Sequence, residues 1–174
     1  LDPSFILSDL QVHSMILMSG TLMPLTMYQD LLNLKKSVHV EYLSPFPKSN
    51  RLNLIIPEIS TKFTYRDEAM YKKIATICSK IIHAVPGNCV VYFPSYFLRD
   101  QVDVYLKDLC EKTMLYEFSN MGKQEKQQLL EKFKSYSATG AVLLGVASGS
   151  FGEGIDLPGD YLKCVIIVGL PLAK

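Results

Sequence analysis

The feature that most constrains this chain is a set of short, unbroken apolar runs with helical stretches between them. Cys89-Val90-Val91-Tyr92-Phe93, Ala141-Val142-Leu143-Leu144-Gly145-Val146 and Cys164-Val165-Ile166-Ile167-Val168 are strand-sized, and none alternates with polar residues. A strand apolar on both sides must be covered on both faces, as happens in a parallel sheet flanked by helices. Met15-Ile16-Leu17-Met18 has the same character. Val38-His39-Val40-Glu41-Tyr42 alternates and suits a place nearer an edge. Leu52-Asn53-Leu54-Ile55-Ile56 and Met114-Leu115-Tyr116-Glu117-Phe118 complete the expected strands.

Helical spacing fills the gaps. Between Asp67 and Val85, the residues Met70, Ile74, Ile77, Cys78, Ile81, Ile82 and Val85 fall on one face. Asp67 suits the N-cap, and Pro86-Gly87 stops the helix. Ser95 can cap a second helix whose stripe is Leu98, Val102, Tyr105, Leu106 and Leu109. A third starts near Asn120 or Gly122 and buries Leu129, Leu130 and Phe133. A short fourth follows Pro24 with Tyr28, Leu31 and Leu32. The expected fold class is therefore α/β, with helices on both faces of a mostly parallel sheet. Residues 43–66 are irregular, with Pro45, Pro47 and Pro57 among basic Lys48, Arg51, Lys62 and Arg66. No linker stands out, and residues 1–174 read as one domain.

Composition excludes several classes. With 174 residues, 48% of them hydrophobic and 20% charged, the chain can bury a core and is too apolar for disorder. A net charge of +1 leaves any basic surface to a local patch. No apolar stretch approaches the roughly 20 residues of a spanning helix, and the first residues lack a signal-peptide pattern. Cys78, Cys89, Cys110 and Cys164 share no C-x₂₋₄-C spacing, so no metal site is expected within the chain and the cysteines read as buried thiols of an intracellular protein. His13, His39 and His83 are scattered and adjoin no partner motif.

In a parallel sheet the chemistry gathers beyond the carboxyl ends of the strands. Ser19-Gly20-Thr21 follows one expected strand; it can present open N–H and hydroxyl groups, or be a plain turn into the helix after Pro24. Ser95 and Tyr96 follow another. Ser95 suits a phosphate contact at a helix N-terminus and Tyr96 a base stack, or the pair is an N-cap and a packed ring. Residues 147–160 hold four glycines (149, 152, 154 and 159) and the acids Glu153, Asp156 and Asp160. Glycines cost chain entropy, so their density suits a backbone that closely approaches a ligand. The chain contains neither G-x-x-x-x-G-K-[ST] nor G-x-G-x-x-G, and no D-E-x-H run of magnesium-holding acids.

The order of these stretches carries a family resemblance. Leu1-Asp2-Pro3-Ser4 is followed by Met18-Ser19-Gly20-Thr21-Leu22 with Pro24, and by Ser44-Pro45-Phe46-Pro47 with Asn50-Arg51. Ser60-Thr61-Lys62 with Arg66 comes next, then Val91-Tyr92-Phe93-Pro94-Ser95-Tyr96. Gly152-Glu153-Gly154-Ile155-Asp156-Leu157-Pro158-Gly159-Asp160 and Val165-Ile166-Ile167-Val168-Gly169-Leu170 with Pro171 close the series. Together they resemble, over essentially the whole chain, the second motor domain of XPD/DinG-like superfamily 2 DNA helicases, nearest to the archaeal XPD-like members.

The resemblance implies a RecA-like three-layer sandwich. It implies that Ser19, Gly20 and Thr21 couple nucleotide state to strand binding, as the family's motif III does. Gly152, Glu153, Gly154 and Asp156 would face nucleotide and DNA across a cleft, as motif V does. Ser95 and Tyr96, in the motif IV region, together with Ser148 and Gly149, would touch single-stranded DNA. ATP with magnesium would be shared with a first motor domain, which would also carry the family's iron–sulfur cluster, and an arginine-bearing motif is expected after Pro171. On this reading the lone chain hydrolyses no ATP, and the protein works in a prokaryotic cytoplasm or a nucleus. The alternative is a non-catalytic RecA- or Rossmann-like protein-interaction module.

Overall fold

The computed structural model describes residues 3–152 and 154–170. The chain divides into two units, Leu1–Leu54 and Ile55–Lys174, although no linker is visible in the sequence.

The first unit carries two short helices, α1 (Ser4–Ser8) and α2 (Leu25–Leu31). Pro24 precedes α2 in an extended conformation, as expected for a helix that starts just after a proline. The strands expected at residues 15–18 and 38–42 are not formed among the described residues. Nor is the one expected at residues 52–56, which straddles the two units. These segments have the right residues but no backbone partner, and a strand exists only through pairing with a neighbour. Ile16 is 89% exposed and Val38 91%.

The second unit is the α/β layer structure. Helix α3 (Glu68–Ala84) starts where the Asp67 carboxylate accepts the Met70 N–H at 2.7 Å. It buries Ile74, Ala75, Cys78 and Ile82 along one face. The chain turns at Gly87, whose φ of +82° suits glycine. The Lys112 ammonium donates to the carbonyls of Val85 and Gly87 at 2.6 and 2.8 Å, satisfying oxygens the helix end leaves open. Strand β1 (Cys89–Phe93), helix α4 (Tyr96–Leu109), β2 (Thr113–Tyr116), α5 (Lys123–Ser135), β3 (Ala141–Val146) and β4 (Cys164–Ile167) follow.

All strand pairings are parallel, in the order β2-β3-β1-β4. Cys89 stands opposite both Val142 and Cys164, which sets the register of the central pair and the β4 edge. Buried Asn88 fixes that start. Its amide nitrogen donates to the Phe133 and Tyr161 carbonyls at 2.7 and 3.1 Å, and its oxygen accepts the Ala141 N–H at 2.8 Å.

Alternate strand residues feed two cores. Val91, Phe93, Val142 and Leu144 pack with Ile74, Ile82, Leu98, Val102 and Leu106 of α3 and α4. Val90, Leu115, Ala141 and Leu143 pack with Phe133 of α5 and with Phe151. Among the described residues four strands form where more were expected. The run at residues 164–168 was expected to be covered on both faces, but β4 is an edge strand whose Val165 and Ile167 stay 49% and 59% exposed. No helix among the described residues is long and apolar enough to cross a membrane.

Candidate functional site

Three loops leave the carboxyl edge of the second unit's sheet: Pro94-Ser95 after β1, residues 117–122 after β2, and residues 147–158 after β3. They are tied to one another. The Ala147 N–H donates to the Phe93 carbonyl at 2.9 Å, and the Tyr92 hydroxyl donates to the Phe151 carbonyl. The Gly149 N–H closes a turn onto the Val146 carbonyl at 2.8 Å, and Gly152 onto Gly149 at 3.3 Å.

The strongest tie is Glu117, fully buried just past β2. Its Oε2 accepts the Val146 N–H at 3.0 Å. Its Oε1 accepts the N–H groups of Ser150 and Phe151, the latter at 3.2 Å. A carboxylate is tolerated in such a place when N–H donors replace its water. The Glu117 carbonyl accepts a hydrogen bond from the guanidinium of Arg99, a residue only 4% exposed. That guanidinium lies 4.9 Å from the Tyr96 ring centre and 5.7 Å from that of Phe118, and it bonds the Asp100 carboxylate at 2.7 Å. Burial, and then the charge of Glu117, raises the phenol pKa of both Tyr92 and Tyr96.

The expected site residues fall in different places. Ser95 is the N-cap of α4, its hydroxyl accepting the Leu98 N–H at 3.3 Å. Tyr96 is half-buried against Arg99. Ser148, Gly152, Gly154 and Asp156 are exposed, and neither the Ser148 hydroxyl nor the Asp156 carboxylate has a hydrogen-bond partner among the described residues. Gly149 is half-buried under Glu117. Gly154 has φ +73°, a conformation that favours glycine. Glu153, Leu1, Asp2 and Pro171, which the sequence motifs include, lie outside the described residues.

Ser19, Gly20 and Thr21 belong to the first unit and do not follow a strand there, a correction to the expectation. They form a small turn in which the Thr21 N–H donates to the Ser19 hydroxyl at 3.2 Å.

Beside the third loop lies a cleft of about 330 Å³, bordered by Lys123, Lys126 and Gln127 of α5 and by Ser150 and Gly154. A second cavity of about 450 Å³, with His83, Glu111 and Thr139 in its wall, sits at the opposite edge, where β2 and β3 begin. No group of three or more His, Cys, Asp or Glu among the described residues is placed to hold a metal ion. Sequence reasoning missed Glu117 and Arg99. The available signal was an acid ending an apolar strand, directly ahead of a turn.

The profile of the helicase C-terminal domain family matches residues 78–174, from within α3 through β4 and all three loops. The chain belongs to this family. Among proteins similar to this helicase C-terminal domain is the general transcription and DNA repair factor IIH helicase subunit XPD/RAD3 of Saccharomyces cerevisiae, 30% identical over 172 residues. The match covers 91% of this chain and 22% of that protein. The probable ATP-dependent helicase MJ0942 of Methanocaldococcus jannaschii is 32% identical over 161 residues, covering 88% of this chain and 23% of the relative. A solved XPD helicase structure aligns with a TM-score of 0.51 at 25% identity, over 65% of this chain and 19% of that one. The domain is thus XPD-like, with a RecA-like fold, and it spans less than a quarter of the length of these relatives.

Proposed function

We propose that this domain is the second motor lobe of an ATP-dependent DNA helicase, with residues 1–174 acting together as that lobe. The observation that carries the reading is the family match over residues 78–174, which takes in all three cross-tied loops at the carboxyl edge. In this reading ATP with magnesium sits mainly on a first motor domain of the same protein. That domain also carries the iron–sulfur cluster, for which the residues described here offer no ligand set. When bound, magnesium neutralises phosphate charge.

This chain's own part is to complete the pocket and grip the strand. Gly152, Glu153, Gly154 and Asp156 close on the nucleotide as the lobes approach. Tyr96, Ser148 and Gly149 hold single-stranded DNA through stacking and phosphate contacts, which give grip without base specificity. Ser95 is already engaged as a cap, so its contribution to DNA is the placement of Tyr96. Ser19, Gly20 and Thr21 pass the nucleotide state to the strand. Such a protein works inside the cell, where its DNA is.

The test is Asp156→Asn in the intact protein. Asp156 is exposed and its carboxylate bonds no other described residue, so losing its charge leaves the melting temperature within about 2 °C of wild type, as for a surface change of ~0.5 kcal/mol or less. DNA-stimulated ATP hydrolysis should fall at least about tenfold, ~1.4 kcal/mol of transition-state stabilisation. Full turnover in the variant removes Asp156 from the cleft, and an intact wild type that hydrolyses no ATP removes the helicase reading.

A further inference from the structure

Glu117 is fully buried at the carboxyl edge of the sheet, where the glycine loop leaves β3. Its carboxylate meets only backbone N–H donors among its hydrogen bonds, and two of the three, Ser150 and Phe151, are on the glycine loop. The loop is also shaped to receive it. A Cβ on Gly145 would lie 2.8 Å from Glu117 Oε2, and one on Gly149 would be as close to the same oxygen. A side chain at either position would therefore have to push the carboxylate from its place. Neither is required to be glycine by its backbone, because neither has a positive φ. From its carbonyl the same residue holds Arg99, which stacks with Tyr96 and Phe118. One residue thus joins the loops after β2 and β3 to the start of α4.

We infer that Glu117 is the positioning residue of this edge: it holds Ser148, Gly149 and the loop that follows in the shape that nucleotide and DNA require, in register with Tyr96. The inference rests on the helicase reading above. A carboxylate is required rather than any polar group of that size. Both oxygens accept, and the amide of glutamine would turn one of them into a donor facing a backbone N–H. Either Val146 or the Ser150–Phe151 pair would then lose its acceptor.

The experiment uses Glu117→Gln and Gly149→Ala in the intact protein, singly and together. Amide hydrogen exchange should quicken at least about tenfold at Ser150 and Phe151 in Gly149→Ala, and at Val146 or at the Ser150–Phe151 pair in Glu117→Gln, while the amides of β1 stay as protected as in wild type. DNA-stimulated kcat should fall at least about tenfold with KM for ATP changed less than about threefold, the split expected when geometry rather than ground-state affinity is lost. The double variant should be no worse than the poorer single one, since both break one junction. Unchanged exchange at all of Val146, Ser150 and Phe151 in either single variant, or additive losses in the double variant, would overturn the assignment. If Glu117→Gln does not fold, Gly149→Ala alone decides, because its Cβ would crowd the same carboxylate. A wild type without DNA-stimulated hydrolysis sinks the helicase reading itself. An active wild type with fully active variants sinks only the role of Glu117.

Discussion

The two units of this chain use similar residues to opposite effect. In Ile55–Lys174, runs such as Val90-Val91 and Val142-Leu143-Leu144 are fully buried between helices. In Leu1–Leu54, Ile16, Met18, Val38 and Leu43 are at least 89% exposed, and none of the described residues from 3 to 54 is buried. The difference is not hydrophobicity. Each buried run has a parallel neighbour in register and an amphipathic helix over it, and the exposed runs have neither. Apolar patterning supplies the tendency to form a strand. Only a partner supplies the hydrogen bonds and the covered face that make one.

Hydrogen exchange gives the largest expected effect. Amides of β1 and β3 should exchange at least about 10³-fold more slowly than those of residues 15–18 and 38–42, a difference of ~4 kcal/mol in local opening. Protection of residues 15–18 equal to that of β3 would erase the contrast between the units.

Truncation at matched apolar sites sharpens the same contrast. Phe133→Ala removes a fully buried ring from the core under α5 and should cost about 3–5 kcal/mol of stability in denaturant melts. Ile16→Ala, at a side chain 89% exposed, should stay within about 0.5 kcal/mol. Comparable losses at the two sites would mean that Ile16 is covered in solution.

The smallest effect separates two serines of the second unit. Ser95→Ala removes the cap of α4 and should cost about 1 kcal/mol, read as a shift in the denaturation midpoint with an unchanged slope. Ser148→Ala removes a hydroxyl that bonds no other described residue and should leave the midpoint in place while weakening binding to single-stranded DNA. A midpoint shift for Ser148 equal to that for Ser95 would make it a structural residue.

Much of the second unit was legible residue by residue. The caps at Asp67 and Ser95 and the strands β1 and β3 follow from side-chain chemistry acting within a few residues. The glycine-acid loop could also be placed, because it lies directly after a run that could only be a buried strand. Its anchor could not be found the same way. Glu117 stands 33 residues before Ser150, and nothing near Glu117 in the chain shows which N–H groups will surround it.

The sequence by itself determined the α/β class, the helix starts and the edge of the sheet where ligands belong, because these depend on periodicity and on capping between near neighbours. The tertiary structure alone decided which apolar runs became strands, that β4 keeps one face open, and that Glu117 and Arg99 join the loops after β2 and β3 to the start of α4. Those outcomes depend on groups far apart in the chain. Pairing and the burial of a charge are settled only when distant segments arrive with the complementary donors and surface.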